Sequence, residues 1–203
     1  MNFKDKFLVA AKEVLTSHGF NQEDNKPSFI LKTASIVKKL AFDIDVSGSR
    51  FNIKPQLLLI HDEISRVRKG FNALKHKGEY YATIIEHQYA LASLYQKPQL
   101  KILGYIVKDE EGLRNSIDNF RFFMNEVGFP FFNRFNSLVD FDKWFNEPVL
   151  NGTYDFKRGN ILNFSVEGLV AAKLNENPHY EDIYKTWIKS ISPDFTEALG
   201  ILK

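Results

Sequence analysis

A run of alternating apolar and polar residues in the first third of the chain constrains the fold more than any other feature. Apolar side chains share one face of residues 36–46, and only Lys38 interrupts the series. Successive residues of a β-strand point to opposite faces, so the pattern predicts a strand with one buried and one wet face. Ser47-Gly48-Ser49 supplies a turn, and residues 51–60 return as a second strand. We therefore expect an antiparallel hairpin.

Three further features define the predicted sheet. Pro55 lies inside the second strand, which indicates an edge strand or a bulge because proline cannot donate to a ladder of hydrogen bonds. Residues 28–33, 80–85 and 100–107 are also strand candidates, whereas 87–95 fit either a strand or a helix. The antiparallel sheet is thus expected to have about four to five strands.

Helical periodicity flanks this block of strands on both sides. Residues 2–18 carry apolar side chains at helical spacing and end at Gly19, which suits the left-handed position after a helix. The longest helical stripe covers 113–127, and we expect Gly128 to end it. Strands grouped in one block indicate an α+β fold, here with an N-terminal helix, the antiparallel sheet and a helical C-terminal third. The other predicted helices lie at 140–146 and 166–175, and after Asn177-Pro178 and Ser192-Pro193.

Length and composition narrow the class of protein. The 203 residues are expected to form a single α+β domain over 1–203. The stretch between 146 and 160 is rich in Asn, Gly and Pro, so a division into a sheet-bearing part, 1–146, and a helical cap, 160–203, is the alternative. The absence of Cys excludes disulfides and thiolate metal sites. We find neither a signal-like segment nor an apolar run of bilayer length, and therefore expect a cytoplasmic protein.

The order of several short segments carries a resemblance to a known family. A helix ending at Gly19-Phe20 precedes the short strand 28–31 and the hairpin formed by 37–46 and 51–60. Gly-Phe-Pro-Phe-Phe at 128–132 and a turn at 140–144 follow later. Over its first two thirds, the chain resembles a bacterial domain of unknown function, family 4304. The resemblance implies an α+β fold and brings no activity, cofactor or functional residue.

His61-Asp62-Glu63, at the end of the second predicted strand, is the candidate catalytic site. A histidine with a carboxylate can act as a general base and its orienting group. Only His61 and Glu63 would converge, because adjacent residues of a strand face opposite ways. In the alternative interpretation, Asp62 caps a helix, since apolar residues continue at helical spacing from Ile64 to Leu74. A metal would need a third ligand from Glu86, His87 or His76.

A basic stretch without acidic residues, 65–78, is the first candidate binding surface. It could contact phosphate or an acidic partner, although a solvated loop is the alternative interpretation. It has a single aromatic residue, Phe71, so it lacks the interleaved aromatics typical of nucleic-acid surfaces. The basic residues proposed to bind are Arg66, Arg68, Lys69, Lys75 and Lys77.

An aromatic segment, 120–145, is the second candidate binding surface. Ten aromatic side chains in this segment exceed what one helical face can bury, so an exposed remainder would mark an interface. The alternative is that short helices bury them all. From this segment we assign binding to Phe122, Phe132 and Trp144. A carboxylate pair, Asp43 and Asp45, shares a strand face with Lys39, and a wet face of mixed charge explains it without chemistry.

These features favour binding over catalysis. The leading hypothesis is a non-catalytic cytoplasmic protein that recognises another macromolecule, with an immunity-type partner as one example by analogy. The alternative is a hydrolase or metal-dependent enzyme that uses His61 and Glu63. Nucleotide-binding and nucleophile-elbow motifs are absent from the sequence, and we expect no cofactor and no metal. The expected partner is a protein, with nucleic acid left as an alternative for residues 65–78.

Overall fold

The computed structural model describes residues 2–24, 26–72, 82–153 and 161–189. Within these ranges, an antiparallel sheet combined with an N-terminal helix and C-terminal helices confirms the α+β prediction. The chain divides into two compact units. Unit 1 comprises Met1–Ile60 and Ile84–Arg134, and unit 2 comprises His61–Thr83 and Phe135–Lys203. The single domain over 1–203, with its alternative boundary between 146 and 160, stays a prediction.

The secondary structure follows the predicted order of helix, strands and helices. The strands are β1 (Asn21–Gln22), β2 (Ser28–Lys32), β3 (Ile36–Ser47), β4 (Arg50–His61), β5 (Ile84–His87) and β6 (Tyr105–Val107). The helices are α1 (Phe3–Thr16), α2 (Asp62–Asn72), α3 (Gln88–Leu94), α4 (Glu110–Phe123), α5 (Phe129–Asn133), α6 (Leu138–Leu150), α7 (Ile161–Leu174) and α8 (Tyr180–Ile188). The described part of the sheet has six strands, in the order β1-β2-β3-β4-β5, with β6 also paired to β4.

The predicted hairpin is formed by β3 and β4. Its turn holds Gly48 at a φ of +60°, a left-handed conformation that glycine adopts without strain. Buried and half-buried residues alternate along β3 as the sequence indicates, except at its far end, where Val46 is exposed. Lys38, which interrupts the apolar series, is nevertheless buried on the core face of β3.

Pro55 occupies a different position from the one that we predicted. We expected an edge strand or a bulge, but β4 lies inside the sheet, with β3 as one neighbour. On its other side, β4 pairs with β6 through residues 51–53 and with β5 through residues 56–59. Pro55 therefore lies between the two partner strands, where a missing backbone donor breaks no ladder on that side.

The core of unit 1 lies on the face of the sheet that α1 and α4 cover. Phe7 of α1 is fully buried, and its ring centre lies 5.6 Å from those of both Phe42 and Phe120. These distances are typical of favourable aromatic pairs. Asn2 caps α1 by accepting a hydrogen bond from the backbone N–H of Asp5, at 2.9 Å. Gly19 follows the helix at a φ of +83°, as predicted.

The predicted helical stripe of 113–127 is present, but Gly128 does not end it. α4 passes into a π-helical turn, Met124–Gly128, which continues directly into α5. A Cβ atom at Gly128 would lie 2.6 Å from Sδ of Met124, so the absence of a side chain permits this close packing. Pro130 falls in the first turn of α5, where it has no backbone N–H to donate to the π-helical turn that precedes it.

Of the segment 87–95, which fitted a strand or a helix, residues 88–94 form α3. Two predicted strands have different bounds: β5 covers 84–87 where 80–85 was expected, and only 105–107 of the predicted strand 100–107 belong to the sheet. The buried side chain of Gln88 links the two segments, because its Nε2 donates to the carbonyl oxygen of Leu100 at 3.1 Å and its Oε1 accepts from the Tyr105 hydroxyl at 2.6 Å. The helix predicted after Ser192-Pro193 lies outside the described residues.

A buried carboxylate joins α6 to the connection between α7 and α8 in unit 2. Asp142 is 2% exposed and accepts hydrogen bonds from three side-chain amides. Nδ2 of Asn146 lies 2.7 Å from one carboxylate oxygen. Nδ2 of Asn175 and Nδ2 of Asn177 lie 2.6 and 2.7 Å from the other. A buried charge is tolerated when it is fully hydrogen-bonded, as here.

Asn146 extends this network to α8. Its Oδ1 accepts from the indole N–H of Trp187 at 2.9 Å, and its Nδ2 also donates to the carbonyl oxygen of Gly168 at 2.8 Å. A Cβ atom at Gly168 would lie 3.0 Å from Oδ1 of Asn146 and 3.1 Å from Nε1 of Trp187. The glycine therefore lets α7 approach both side chains closely. The surrounding apolar core consists of Leu169, Ala172, Ile183 and Trp187.

Candidate functional site

His61 is the buried member of the candidate catalytic pair. It ends β4, is 3% exposed, and its ring contacts Phe141 edge to face, at 5.3 Å between centres. Its Nδ1 is buried and has no hydrogen-bond partner. Burial lowers the pKa of His61 below its ordinary value and outweighs the fields of Glu63 and Asp62, which raise it. The ring is therefore held as a neutral group.

Glu63 does not share the environment of His61. We predicted that both would lie on one face of a strand, but the strand ends at His61 and α2 begins at Asp62. The Glu63 side chain is half exposed, and its carboxylate faces the Arg66 guanidinium at 3.5 Å. A helix therefore follows the strand directly, as the alternative interpretation expected, but Asp62 is its first residue and not its cap. A buried ring beside an exposed, paired carboxylate does not form an open acid–base site.

Two hydroxyl groups near His61 escaped the sequence interpretation. The backbone N–H of His61 donates to Oγ1 of Thr83 at 2.9 Å, and this oxygen lies 3.5 Å from Oγ of Ser65. Both hydroxyl-bearing residues are buried. Ser65 follows His61 by one helical turn, a signal that was visible in the sequence. Thr83 lies 22 residues away, and no spacing pattern indicates it.

The other options for a metal ligand do not converge. Among the residues that the structure describes, no three His, Asp or Glu side chains are close enough to hold a metal ion. His87 is exposed at the end of β5, and His76 lies outside the described ranges. Glu86 faces the core side of β5 opposite Leu57, and burial raises its pKa from 4.5 to about 7.

The basic stretch is only partly described. Residues 65–72 belong to α2, so this part is helical and not a loop. The Arg66 side chain is 75% exposed and pairs weakly with Glu63 within the same helix. Arg68 and Lys69 lie in α2, but their side chains are not described, and Lys75 and Lys77 lie outside the described residues.

The aromatic segment is almost entirely buried, as the alternative interpretation expected. Phe132, assigned to binding, is 1% exposed, so its ring is not accessible at the surface. Trp144 is partly buried against Phe135, with ring centres 5.4 Å apart. Phe122, which lies off the helical stripe, is 42% exposed. The buried rings are Phe120, Phe123, Phe129, Phe131, Phe132, Phe135, Phe141 and Phe145.

A surface that the sequence interpretation treated only as a wet strand face is more apolar than expected. We call it the outer sheet face; it is formed by residues 37, 39, 41, 43 and 45 of β3, residues 52, 54, 56, 58 and 60 of β4, and Ile85 and Ile106. Ile85 is opposite Leu58, and Ile106 is opposite Asn52. Ile85 is 49% exposed and Ile106 is 47% exposed. The residues from β4 are all half-buried.

The two lysines of the outer sheet face are each paired with a carboxylate of unit 1. Nζ of Lys39 lies 2.6 Å from a carboxylate oxygen of Glu23, and Nζ of Lys54 lies 2.5 Å from Asp45. The hydrogen bond and the field of Asp45 raise the pKa of Lys54. The expected wet face of mixed charge is thus present, with each lysine paired to a carboxylate.

Comparisons with protein-family models, with curated proteins and with solved structures gave no match. The resemblance to family 4304 therefore stays an expectation. None of the helices in the described ranges combines the length and the apolar character needed to cross a bilayer.

Proposed function

We propose that the chain is a non-catalytic cytoplasmic protein that recognises another protein through the outer sheet face of unit 1. The observation that carries the proposal is the exposure of Ile85 and Ile106 on a face that also holds half-buried Leu58 and Ile60. Exposed apolar side chains on one face favour burial against a partner, because each buried aliphatic side chain contributes about 1.5–3 kcal/mol.

The charge distribution favours a protein partner over a nucleic acid. A phosphate backbone is bound by uncompensated Lys and Arg side chains that displace counterions. On the outer sheet face, Lys39 and Lys54 are each paired with a carboxylate, and Asp43 adds a further negative charge. Such a mixed, paired surface suits the polar rim of a protein interface.

The alternative enzyme gains little support from the candidate pair. A general base must reach the proton that it abstracts, but the His61 ring is buried against Phe141. Its lowered pKa suits a base, yet Glu63 is exposed and engaged with Arg66. An immunity-type role, in which the chain covers the surface of a toxic enzyme, is one form of the proposed binding and rests on analogy alone.

The test is a comparison of surface variants in partner capture. Partners cross-linked to the wild-type chain in a lysate of its source are identified, purified and titrated against the chain by calorimetry. We expect Ile85→Asp and Ile106→Asp each to weaken binding at least tenfold, since a buried apolar contact would be replaced by an unpaired charge. The matched control is Val9→Asp, because Val9 is 48% exposed on α1 of the same unit.

Other outcomes distinguish the remaining candidate surfaces. Loss of binding with Phe122→Asp, but not with the sheet variants, would move the interface to α4. Loss with Arg66→Glu alone would assign it to the basic stretch and reopen nucleic acid as the ligand. If the chain turns over a substrate and His61→Ala reduces that turnover by orders of magnitude, the proposal is contradicted.

A further inference from the structure

The junction between β4 and α2 contains a titratable ring without a polar partner. His61 is buried to 3% exposure, and its Nδ1 neither donates nor accepts a hydrogen bond. Buried polar atoms without a partner are uncommon in native structures and destabilise them. An apolar residue of similar size would avoid that cost, so the choice of histidine at this position calls for a physical explanation.

The position of the ring is set by contacts that do not depend on its own nitrogen atoms. The backbone N–H of His61 donates to Oγ1 of Thr83, which also lies within reach of the Ser65 hydroxyl. The ring itself packs against the Phe141 ring. The junction therefore connects the end of β4, the first turn of α2 and the segment before β5 around a ring held by packing.

No carboxylate in the described part of unit 2 is placed to accept a hydrogen bond from Nδ1 of His61 when that nitrogen carries a proton. The charges whose fields reach the ring are those of Glu63 and Asp62, which lie in the exposed first turn of α2. Thr83 and Phe141, which contact His61, are uncharged.

The charged groups of α6 and α7 either have other partners or are exposed. On α6, Asp142 is held by three amides, and Asp140 accepts from the backbone and the hydroxyl of Ser137 at 2.9 and 3.0 Å. Lys143 of α6 is exposed. On α7, which packs on α2, Glu167 is buried and has an interaction of its own.

We propose that His61 makes unit 2 acid-sensitive: protonation of its ring at mildly acidic pH releases the junction between β4 and α2. A second N–H on the buried ring would have no hydrogen-bond acceptor, which favours conformations in which the ring reaches water. Since the unfolded or opened chain binds the proton more readily, stability is present above the ordinary histidine pKa and is lost as pH falls below it.

Hydrogen exchange of the full-length chain tests this proposal directly. The readout is the protection of backbone amides 63–67 at the start of α2, corrected for the intrinsic exchange rate, between pH 7.5 and 5.5. A difference of one bound proton changes the opening equilibrium tenfold per pH unit, so we expect up to about a tenfold loss of protection. His61→Phe, which keeps a planar ring and removes the proton site, should abolish that loss.

Two measurements keep the result decisive. The control His179→Gln alters an exposed histidine of the same unit and should retain the wild-type loss of protection. If His61→Phe does not fold, an NMR titration of the His61 ring in the wild-type chain replaces it, and the expected midpoint lies below that of the same ring in the urea-unfolded chain. Equal pH dependence of the wild-type chain and His61→Phe, or a His61 midpoint at or above that of the unfolded chain, would overturn the proposal.

Discussion

Removal of the Asp142 carboxylate is expected to destabilise unit 2 strongly. Each hydrogen bond to a charged group contributes about 1.5–3 kcal/mol, and a buried donor left without an acceptor costs about 1–3 kcal/mol. Asp142→Ala removes the acceptor of three amides. Asn146 keeps its hydrogen bond to the Gly168 carbonyl oxygen, and water can reach the amides of the half-buried Asn175 and Asn177. We therefore expect a loss of about 3 kcal/mol in the free energy of unfolding, well below the simple sum.

Tryptophan fluorescence is a selective assay for this loss. The chain has two tryptophans, Trp144 and Trp187, and both belong to unit 2. Chemical denaturation followed by fluorescence therefore reports on this unit separately from unit 1. Asp142→Asn should lose about half as much as Asp142→Ala, because one oxygen remains to accept while the new amide meets a donor.

The matched control for this prediction is Glu147→Ala. Glu147 lies in the same helix, carries the same charge and is exposed, so its removal should change stability by less than about 0.5 kcal/mol. Equal losses for Asp142→Ala and Glu147→Ala would show that the amide network does not stabilise unit 2, and the reasoning would fail.

Two further predictions concern unit 1. Burial raises the folded pKa of Glu86 from 4.5 to about 7, so the stability of the chain falls as pH rises across this window. Glu86→Gln should remove this decline and add up to about 3 kcal/mol to the free energy of unfolding at pH 8. Hydrogen exchange of β4 and β5 measures the change. Gly128→Ala should lower the melting temperature, because its new Cβ atom would crowd Met124 at a cost of about 1 kcal/mol. The double variant with Met124→Ala relieves this crowding, so its loss of stability should be smaller than the sum of the losses of the two single variants. An unchanged pH profile in Glu86→Gln, or full additivity in the double variant, would contradict these expectations.

The parts of the fold that were predictable depend on local periodicity. The alternation along β3 indicated its buried face, and the stripe of 113–127 indicated the face of α4 that is buried. Pro55 was misinterpreted because its tolerance depends on which strands pair with β4, and neither β5 nor β6 is close to it in sequence. Gly128 resembled a helix end because a π-helical turn has no sequence signature that differs from a stop.

The candidate site was less predictable than the fold. Whether His61 and Glu63 share a face depends on the residue at which the strand becomes a helix. If the helix begins one position earlier or later, the two side chains point in different directions. The contact between His61 and Thr83, and those of Asp142 with Asn175 and Asn177, join residues 22 to 35 positions apart. Such contacts arise from tertiary packing, which spacing rules do not encode.

The division of the chain into units has a consequence for synthesis on the ribosome. The chain leaves unit 1 after Ile60, returns at Ile84 and leaves again after Arg134. Domains generally fold as units while the chain emerges. Every residue of unit 1 has been made once residue 134 is added, whereas α2 must then wait for α6, α7 and α8 before its own unit is complete. A ribosome stalled once the chain up to residue 134 has left the exit tunnel would therefore hold a complete unit 1, while α2 still lacks the rest of its own unit.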